Sequence, residues 1–151
     1  LDDKAQDTAS KGTTLSGVNL KADKTYTLKA TDARNAVATR TADVAFRDKR
    51  HWWVAASLDA AGVTDQIINQ ATGELAAWYN KTFTLNAAAG QHIYYAFPAS
   101  WGTPRFFVGG FEGGFALLKT FDHKNASGAT ISYAVWKSTN AGLGNTTVEV
   151  K

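Results

Sequence analysis

Cysteine and methionine are both absent from the 151 residues, and proline occurs only twice. Without cysteine there can be no disulfide, no thiolate metal ligand and no cysteine nucleophile. A small secreted scaffold held by disulfides is therefore excluded, and the redox compartment is left open. Because the chain starts at Leu1 and contains no methionine, we expect further sequence to precede it.

Long apolar runs and clusters of like charge are also missing. No stretch approaches the roughly 20 apolar residues of a membrane-spanning helix, so we predict no membrane insertion. The net charge is +3, and residues 1–50 hold ten Lys or Arg against seven Asp. Both signs are interspersed there, which is typical of a solvated surface and not of a basic stripe. We therefore predict no nucleic-acid partner.

Glycine and phenylalanine are concentrated in "GGFEGGF", residues 109–115. The stretch is not a phosphate-binding loop, because no Lys-Ser or Lys-Thr pair and no helix start follow the glycines. Counting by twos along an extended chain puts Phe107, Phe111 and Phe115 on one face, which predicts that Phe111 belongs to the core. The alternative is a tight turn at Gly109-Gly110 or Gly113-Gly114, where positive φ costs little. Both interpretations are β structures.

Short alternating runs separated by turn formers fill most of the chain. "KTYTLKATD" and "AVATRTADVAF" flank the turn "DARN", residues 32–35, and predict a hairpin. One segment, about residues 64–79, has helical spacing, with Thr64 as a candidate N-cap, although Gly73 weakens it. We predict an all-β fold: an antiparallel β-sandwich of immunoglobulin-like or jelly-roll-like type, with one short helical insertion.

Adjacent aromatic residues cannot all face one core, because neighbours on a strand point to opposite faces. One member of each pair must be covered by a second layer or an oligomer interface, which we favour, or must contact a ligand through its ring. The pairs are Trp52-Trp53, Tyr94-Tyr95 and Phe106-Phe107.

Trp101 is a second kind of aromatic candidate, since it lies between Pro98 and Pro104 in a segment predicted to be a surface loop. Packing against its own domain is the favoured alternative. Arg105 nearby could donate a charge-assisted hydrogen bond to a glycan or protein. The candidate binding residues are Trp101, Arg105, Tyr94 and Tyr95.

No pattern of catalytic or metal-binding residues is present. His51, His92 and His123 lack ligand spacing, which favours structural or surface roles. Asp122-His123 with Ser132, or His92 with Ser100, could be drawn as triads, but no nucleophile elbow supports them. We predict a non-enzymatic protein without metal or cofactor.

An ordered series of short motifs runs through the last third of the chain. It comprises "IYYAFP" (93–98), "GTP" (102–104), "VGGFEGGF" (108–115), "NASG" (125–128), "SYAV" (132–135) and "NAGLGNTT" (140–147). In this order the motifs resemble a C-terminal module of tailed-bacteriophage fibre and appendage proteins. Residues 24–46 are similar to the last two strands of the bacterial Ig-like modules that often precede it.

The resemblance implies two regions and a role. Residues 1–46 would hold partial Ig-like strands or an N-terminal sheet, and residues 47–151 the C-terminal sandwich. The chain would belong to the surface of a virion, would form a homo-oligomer, with a trimer expected, and would contact other virion proteins and a host-surface glycan or protein. The family offers no binding residues to carry over. The alternative is a carbohydrate-binding module of a secreted glycan-degrading enzyme, which shares the sandwich architecture and surface aromatics.

Overall fold

The computed structural model describes residues 23–151. The chain divides into two compact units, Leu1–Arg47 and Asp48–Lys151. This division falls one residue after the predicted boundary between residues 46 and 47. Residues 1–17 are polar and nearly free of large apolar side chains, a composition that predicts a linker or an edge strand, and they lie outside the described residues.

The first unit contains an antiparallel hairpin of β1 (Lys24–Thr31) and β2 (Val37–Val44). The Asp32 carboxylate closes the turn by accepting a hydrogen bond from the Ala36 amide at 2.9 Å. Asn35 takes the left-handed conformation, with φ of 64°, which Asn tolerates better than most residues. The hairpin and turn predicted from the sequence are confirmed.

The second unit consists of two antiparallel sheets. Its strands are β3 (Asp48–Ala56), β4 (Thr72–Ala76), β5 (Lys81–Ala87), β6 (Gln91–Pro98), β7 (Phe106–Val108), β8 (Phe111–Glu112), β9 (Phe115–Lys124), β10 (Thr130–Ser138) and β11 (Gly144–Val150). Five strands are ordered β4-β3-β6-β10-β9, and the other four are ordered β5-β11-β7-β8. One α-helix, α1 (Asp65–Gln70), and one 3-10 turn (Ala99–Trp101) interrupt the strands.

The main core lies between the two sheets and follows from strand alternation. In β5, Phe83 and Ala87 are buried while Thr82 and Thr84 are exposed. The buried side chains pack against inward-facing residues of β6, β7 and β11 in one cluster. This packing confirms the predicted all-β sandwich with one short helix.

A second apolar layer covers the outer face of the five-stranded sheet. β6 is buried along nearly its whole length, because its two faces pack into different clusters. Val63 and Ile68, from the segment around α1, pack against Tyr94 and Tyr133 on that outer face. Two-sided burial, the favoured interpretation of the aromatic pairs, is therefore what β6 shows.

The helix is shorter than predicted. Thr64 is the N-cap, as expected, and its hydroxyl accepts from the Ile67 amide at 3.5 Å. The helix ends at Gln70, and β4 follows, with Gly73 opposite His51 of β3. A Cβ atom on Gly73 would lie 2.6 Å from His51 Nδ1, so this position of β4, next to the His51 ring, needs a glycine. The prediction of helix as far as residue 79 is wrong, because pairing with β3 outweighs local helical spacing.

The prediction that Phe111 is a core residue is also wrong. Gly109 and Gly110 have φ of 57° and 88° and form the tight turn between β7 and β8. Gly113 and Gly114 have positive φ as well, and the chain then enters β9 of the other sheet. The two turns break the alternation by twos, and the Phe111 side chain is 82% exposed. The alternative of glycine turns is the correct one.

Candidate functional site: an exposed aromatic shelf

Tyr94 and Tyr95 are core residues, each with no exposed surface. The Tyr94 ring stacks on Trp53, with centroids 5.1 Å apart, and its hydroxyl donates to the Ala56 carbonyl and accepts from the Leu58 amide. Burial raises the pKa of the Tyr94 phenol. A ligand at the surface cannot reach either ring in this fold, so neither tyrosine acts as the contact that the sequence suggested.

Tyr95 points the other way, into the core between the sheets. Its ring stacks on Phe83 at 5.5 Å, and its hydroxyl donates to the Tyr79 carbonyl at 2.6 Å. Burial raises the pKa of the phenol far above its usual range, so the hydroxyl keeps its proton and remains a donor. Tyr95 therefore holds the chain at Tyr79 from inside the protein.

Trp101 lies at the end of the 3-10 turn and is half-buried. One contact is the buried Phe97, whose ring stacks on the indole with centroids 6.1 Å apart and an interplanar angle of 11°. The other is Trp78, with centroids 6.4 Å apart and an angle of 26°. Packing against its own domain, the favoured interpretation, describes Trp101 well, although part of the indole stays accessible.

Trp78 is the most exposed tryptophan near Trp101, with 47% of its surface open. It lies in the connection between β4 and β5, beside Tyr79, whose ring centroid is 4.8 Å away. The Tyr79 hydroxyl donates to the Thr103 carbonyl at 3.4 Å, which links the connection to the segment after Trp101. We call Trp78, Tyr79 and Trp101 the aromatic shelf.

The sequence missed Trp78 as a contact residue, because its segment was assigned to the helix. A signal was present: Trp78-Tyr79-Asn80 places two aromatics directly before the turn former Asn and the alternating strand "KTFTLNA". Such a position is typical of a loop that presents aromatic rings. The proximity to Trp101, 23 residues away in sequence, could only come from the fold.

Next to the aromatic shelf, one carboxylate binds two cationic side chains: Glu74 pairs with Arg50 and Lys81. Arg50 on β3 donates through Nε to Glu74 Oε1 at 2.8 Å and through Nη2 to the same oxygen. Lys81 donates to Glu74 Oε2 at 2.8 Å. The hydrogen bond from Lys81, followed by that from Arg50, holds the pKa of Glu74 below its usual range. Glu74 is thus ionised at neutral pH and fixes both cations.

Arg105, the remaining predicted contact, is exposed and paired within its own sheet. Its Nε donates to Glu112 Oε1 at 2.7 Å, and its guanidinium lies 5.3 Å from the centroid of the Phe107 ring. Hydrogen bonds with Glu112 raise the pKa of Arg105 and lower that of the glutamate. These contacts direct the side chain to β7 and β8, and none of them joins it to the Trp101 indole.

A shallow pocket of about 140 Å³ lies beside the β7–β8 hairpin. Val108, Leu143 and the exposed Phe111 provide its apolar lining, and Asn140 and Glu112 provide polar groups. This surface is the second exposed aromatic feature of the sandwich.

The histidines do not assemble a catalytic triad. Asp122 and Ser132 face each other across β9 and β10 and are exposed, while His123 is buried on the opposite face. His123 Nδ1 instead lies 2.8 Å from Asp65 Oδ1, and the His51 ring is 6.4 Å from the His123 ring. His92 contacts the Ser138 carbonyl at 2.7 Å, so it too has a structural partner.

Residues 23–151 contain no group of three or more His, Cys, Asp or Glu side chains that could hold a metal ion. Within the same range, neither helix has the length and hydrophobicity of a bilayer span.

Comparison of the chain with protein-family models, with curated proteins and with solved structures gave no match. The resemblance to phage appendage modules therefore stays a prediction.

Proposed function

We propose that the chain is a non-enzymatic host-attachment domain of a bacteriophage fibre or appendage, and that it binds a host-surface glycan through the aromatic shelf. The observation that carries the proposal is the pair of near-parallel indoles of Trp78 and Trp101, of which Trp78 is half open to solvent. Flat aromatic faces bind the C–H face of a pyranose, and indoles offer the largest such area. The order of the motifs between residues 93 and 147 supports the phage setting.

The shelf is held by the sandwich, which favours recognition over a merely structural role for the exposed ring. Trp101 is fixed on Phe97, and Tyr79 is tied to Thr103 and to Tyr95. An exposed ring on such a support loses little conformational entropy when a ligand binds. Glycan binding is accordingly the function that the shelf supports best.

The test is the retention of the protein on immobilised polysaccharides and on bacterial cells. The panel contains purified lipopolysaccharides, chitin, cellulose and xylan. We expect Trp78→Ala to reduce retention about five- to thirteenfold, since a stacking contact contributes about 1–1.5 kcal/mol. Leu117→Ala is the control, because it removes a half-exposed apolar side chain from β9, the edge strand of the five-stranded sheet farthest from β4. Equal retention of wild type and Trp78→Ala would overturn the assignment of the shelf.

The same panel separates the alternative. A carbohydrate-binding module of a secreted glycan-degrading enzyme would use the same two indoles, and retention on chitin, cellulose or xylan alone would favour it. Retention on lipopolysaccharide or whole bacterial cells would favour host attachment.

The proposal includes self-association as a trimer on the virion surface, in contact with other virion proteins. Phe111 supports an interface near the β7–β8 hairpin, since a phenylalanine that is 82% exposed lies beside an apolar pocket. Light scattering tests the assembly. If wild type is a trimer and Phe111→Asp a monomer, the interface is at the hairpin, and a monomeric wild type at high concentration would remove the trimer from the proposal.

A further inference from the structure

Residues 78–80 form the loop that carries the aromatic shelf, which we call the shelf loop. Each of its three carbonyl groups accepts a hydrogen bond from a side chain of the five-stranded sheet. The Trp78 carbonyl accepts from Arg50 Nη1 at 3.1 Å, and the Asn80 carbonyl accepts from the same nitrogen. The Tyr79 carbonyl between them accepts from the Tyr95 hydroxyl at 2.6 Å. Neighbouring carbonyls in a connection between strands would otherwise bind water, so their capture restrains the loop backbone.

Both donors are held rigidly. Arg50 is only 15% exposed in its side chain, and Glu74 binds the other two guanidinium nitrogens. A planar guanidinium fixed at one edge by a carboxylate has its remaining N–H groups aimed in one direction. Tyr95 is fully buried and stacked on Phe83. The donors therefore cannot follow the loop if it moves.

The two donors also come from the same region of the five-stranded sheet. Trp52 of β3 is paired with Tyr95 of β6, and Arg50 lies two residues before Trp52 and so on the same face. Lys81, which follows the loop directly, completes the attachment through Glu74. The loop is thus bound to the sheet at both of its ends and at its centre.

We infer that Arg50 and Tyr95 are positioning residues for glycan recognition: they fix the backbone of residues 78–80 so that the Trp78 indole lies against Trp101. The inference rests on the proposed function of the shelf. Neither residue touches the glycan. Tyr95 therefore has a role in binding, but an indirect one exercised from the core.

The experiment uses a matched pair of tyrosines. Tyr95 and Tyr133 are both buried, and each donates its hydroxyl to a backbone carbonyl at 2.6 Å, of Tyr79 and Lys49 respectively. Tyr95→Phe and Tyr133→Phe each remove one such bond, so we expect similar losses of thermal stability. The five tryptophans of the chain are labelled with 5-fluorotryptophan and followed by 19F NMR, with the Trp78 and Trp101 resonances assigned from Trp→Phe variants.

We expect Tyr95→Phe to shift and broaden the Trp78 and Trp101 resonances and Tyr133→Phe to leave them unchanged. Arg50→Lys should have the same effect as Tyr95→Phe, because an ammonium cannot bind Glu74 and two carbonyls in the geometry of a guanidinium. If both variants leave the two resonances as in wild type, the inference is overturned.

Retention on the polysaccharide that wild type binds best gives the second readout. Tyr95→Phe should weaken retention about five- to tenfold, as expected for one lost hydrogen bond to an ordered loop, while Tyr133→Phe should retain wild-type binding. If the resonances move but wild type binds no polysaccharide, Arg50 and Tyr95 do fix the backbone of residues 78–80, and the proposed function fails. If Trp78→Ala abolishes binding while Tyr95→Phe and Arg50→Lys do not change it, the proposed function stands and the positioning role is wrong.

Discussion

β6 and the β7–β8 hairpin are both rich in aromatic residues, yet they differ in their position in the sheet and in the burial of their side chains. β6 lies between β3 and β10, is covered on both faces, and buries Tyr94, Tyr95 and Phe97 completely. The hairpin ends the four-stranded sheet, and its Phe111 is the most exposed large apolar residue among those described. An aromatic run in the sequence therefore predicts a strand, but it does not predict whether that strand is central or at the edge of a sheet. Burial is decided by neighbouring strands that are distant in sequence.

Truncation of a β6 ring should have the largest effect. Phe97→Ala removes a side chain that contacts Tyr79, Tyr95 and Trp101, and it leaves a cavity that rigid neighbours cannot fill. We expect a loss of about 3–5 kcal/mol in the free energy of unfolding. Urea denaturation measures it, and a loss below about 1 kcal/mol would contradict the central position of β6.

Acid should weaken the layer that covers the outer face of β6. Burial and then the nearby His123 lower the pKa of His51 to about 4, from 6.5 in the unfolded chain. Between these values the unfolded chain binds a proton that the folded protein does not, so stability falls as the pH drops from about 6.5 to 4. The whole contribution is at most about 3 kcal/mol.

Urea denaturation at several pH values checks the acid effect. His51→Gln should show a shallower slope than wild type over this window, because the variant lacks the buried imidazole that excludes the proton. Glu74, whose pKa is lowered by Lys81 and Arg50, loses its ion pairs on protonation in wild type and variant alike, and this loss begins only as the pH falls below about 4.5. Identical slopes in wild type and His51→Gln would show that His51 is not buried in its neutral form.

A methyl group at Gly73 should strain the contact between β4 and β3. The new Cβ would meet the His51 ring at 2.6 Å, and this ring is buried and cannot withdraw freely. We expect Gly73→Ala to cost about 1–3 kcal/mol in the free energy of unfolding. Gly90→Ala is the comparison variant. A Cβ atom there would meet open space, but φ is positive, so this substitution introduces backbone strain alone. A Gly73→Ala variant as stable as wild type would indicate that His51 can rearrange.

Removal of the exposed ring of the hairpin should have the smallest effect. Phe111→Ala should change the free energy of unfolding of the isolated chain by less than about 0.5 kcal/mol, since the ring has few contacts to lose. The same denaturation experiment as for Phe97→Ala makes the comparison direct. A loss comparable with that of Phe97→Ala would mean that Phe111 is covered in solution, for example by a second copy.

Local sequence features were sufficient to predict those elements that depend on contacts between residues close in sequence. The alternation of β5, the Asp32 turn of the first hairpin and the Thr64 cap all follow from residues within a few positions of one another. The sandwich class followed from many such segments in succession. Segment 64–79 was misassigned beyond residue 70 because helical spacing and edge-strand pairing compete there, and the partner strand β3 is not local.

The candidate site was predicted only in part, for the same reason. Trp101 was identified from its surroundings in sequence, between two prolines. Trp78 and Arg50 were not, because their roles depend on contacts 23 and 28 residues away. Tyr95 was identified for its ring, whereas its hydroxyl is what connects it to the shelf.

The sequence by itself determined that this protein is a β-sandwich without disulfides, because alternation, turn residues and composition act over short distances and appear directly in the order of residues. It also indicated that one ring of each adjacent aromatic pair is covered by a second layer or an interface, or else contacts a ligand. Only the tertiary structure decided which rings are exposed, and only it brought Trp78 to Trp101 above Arg50 and Tyr95. These arrangements depend on strand order and sheet packing, which join residues far apart in the chain.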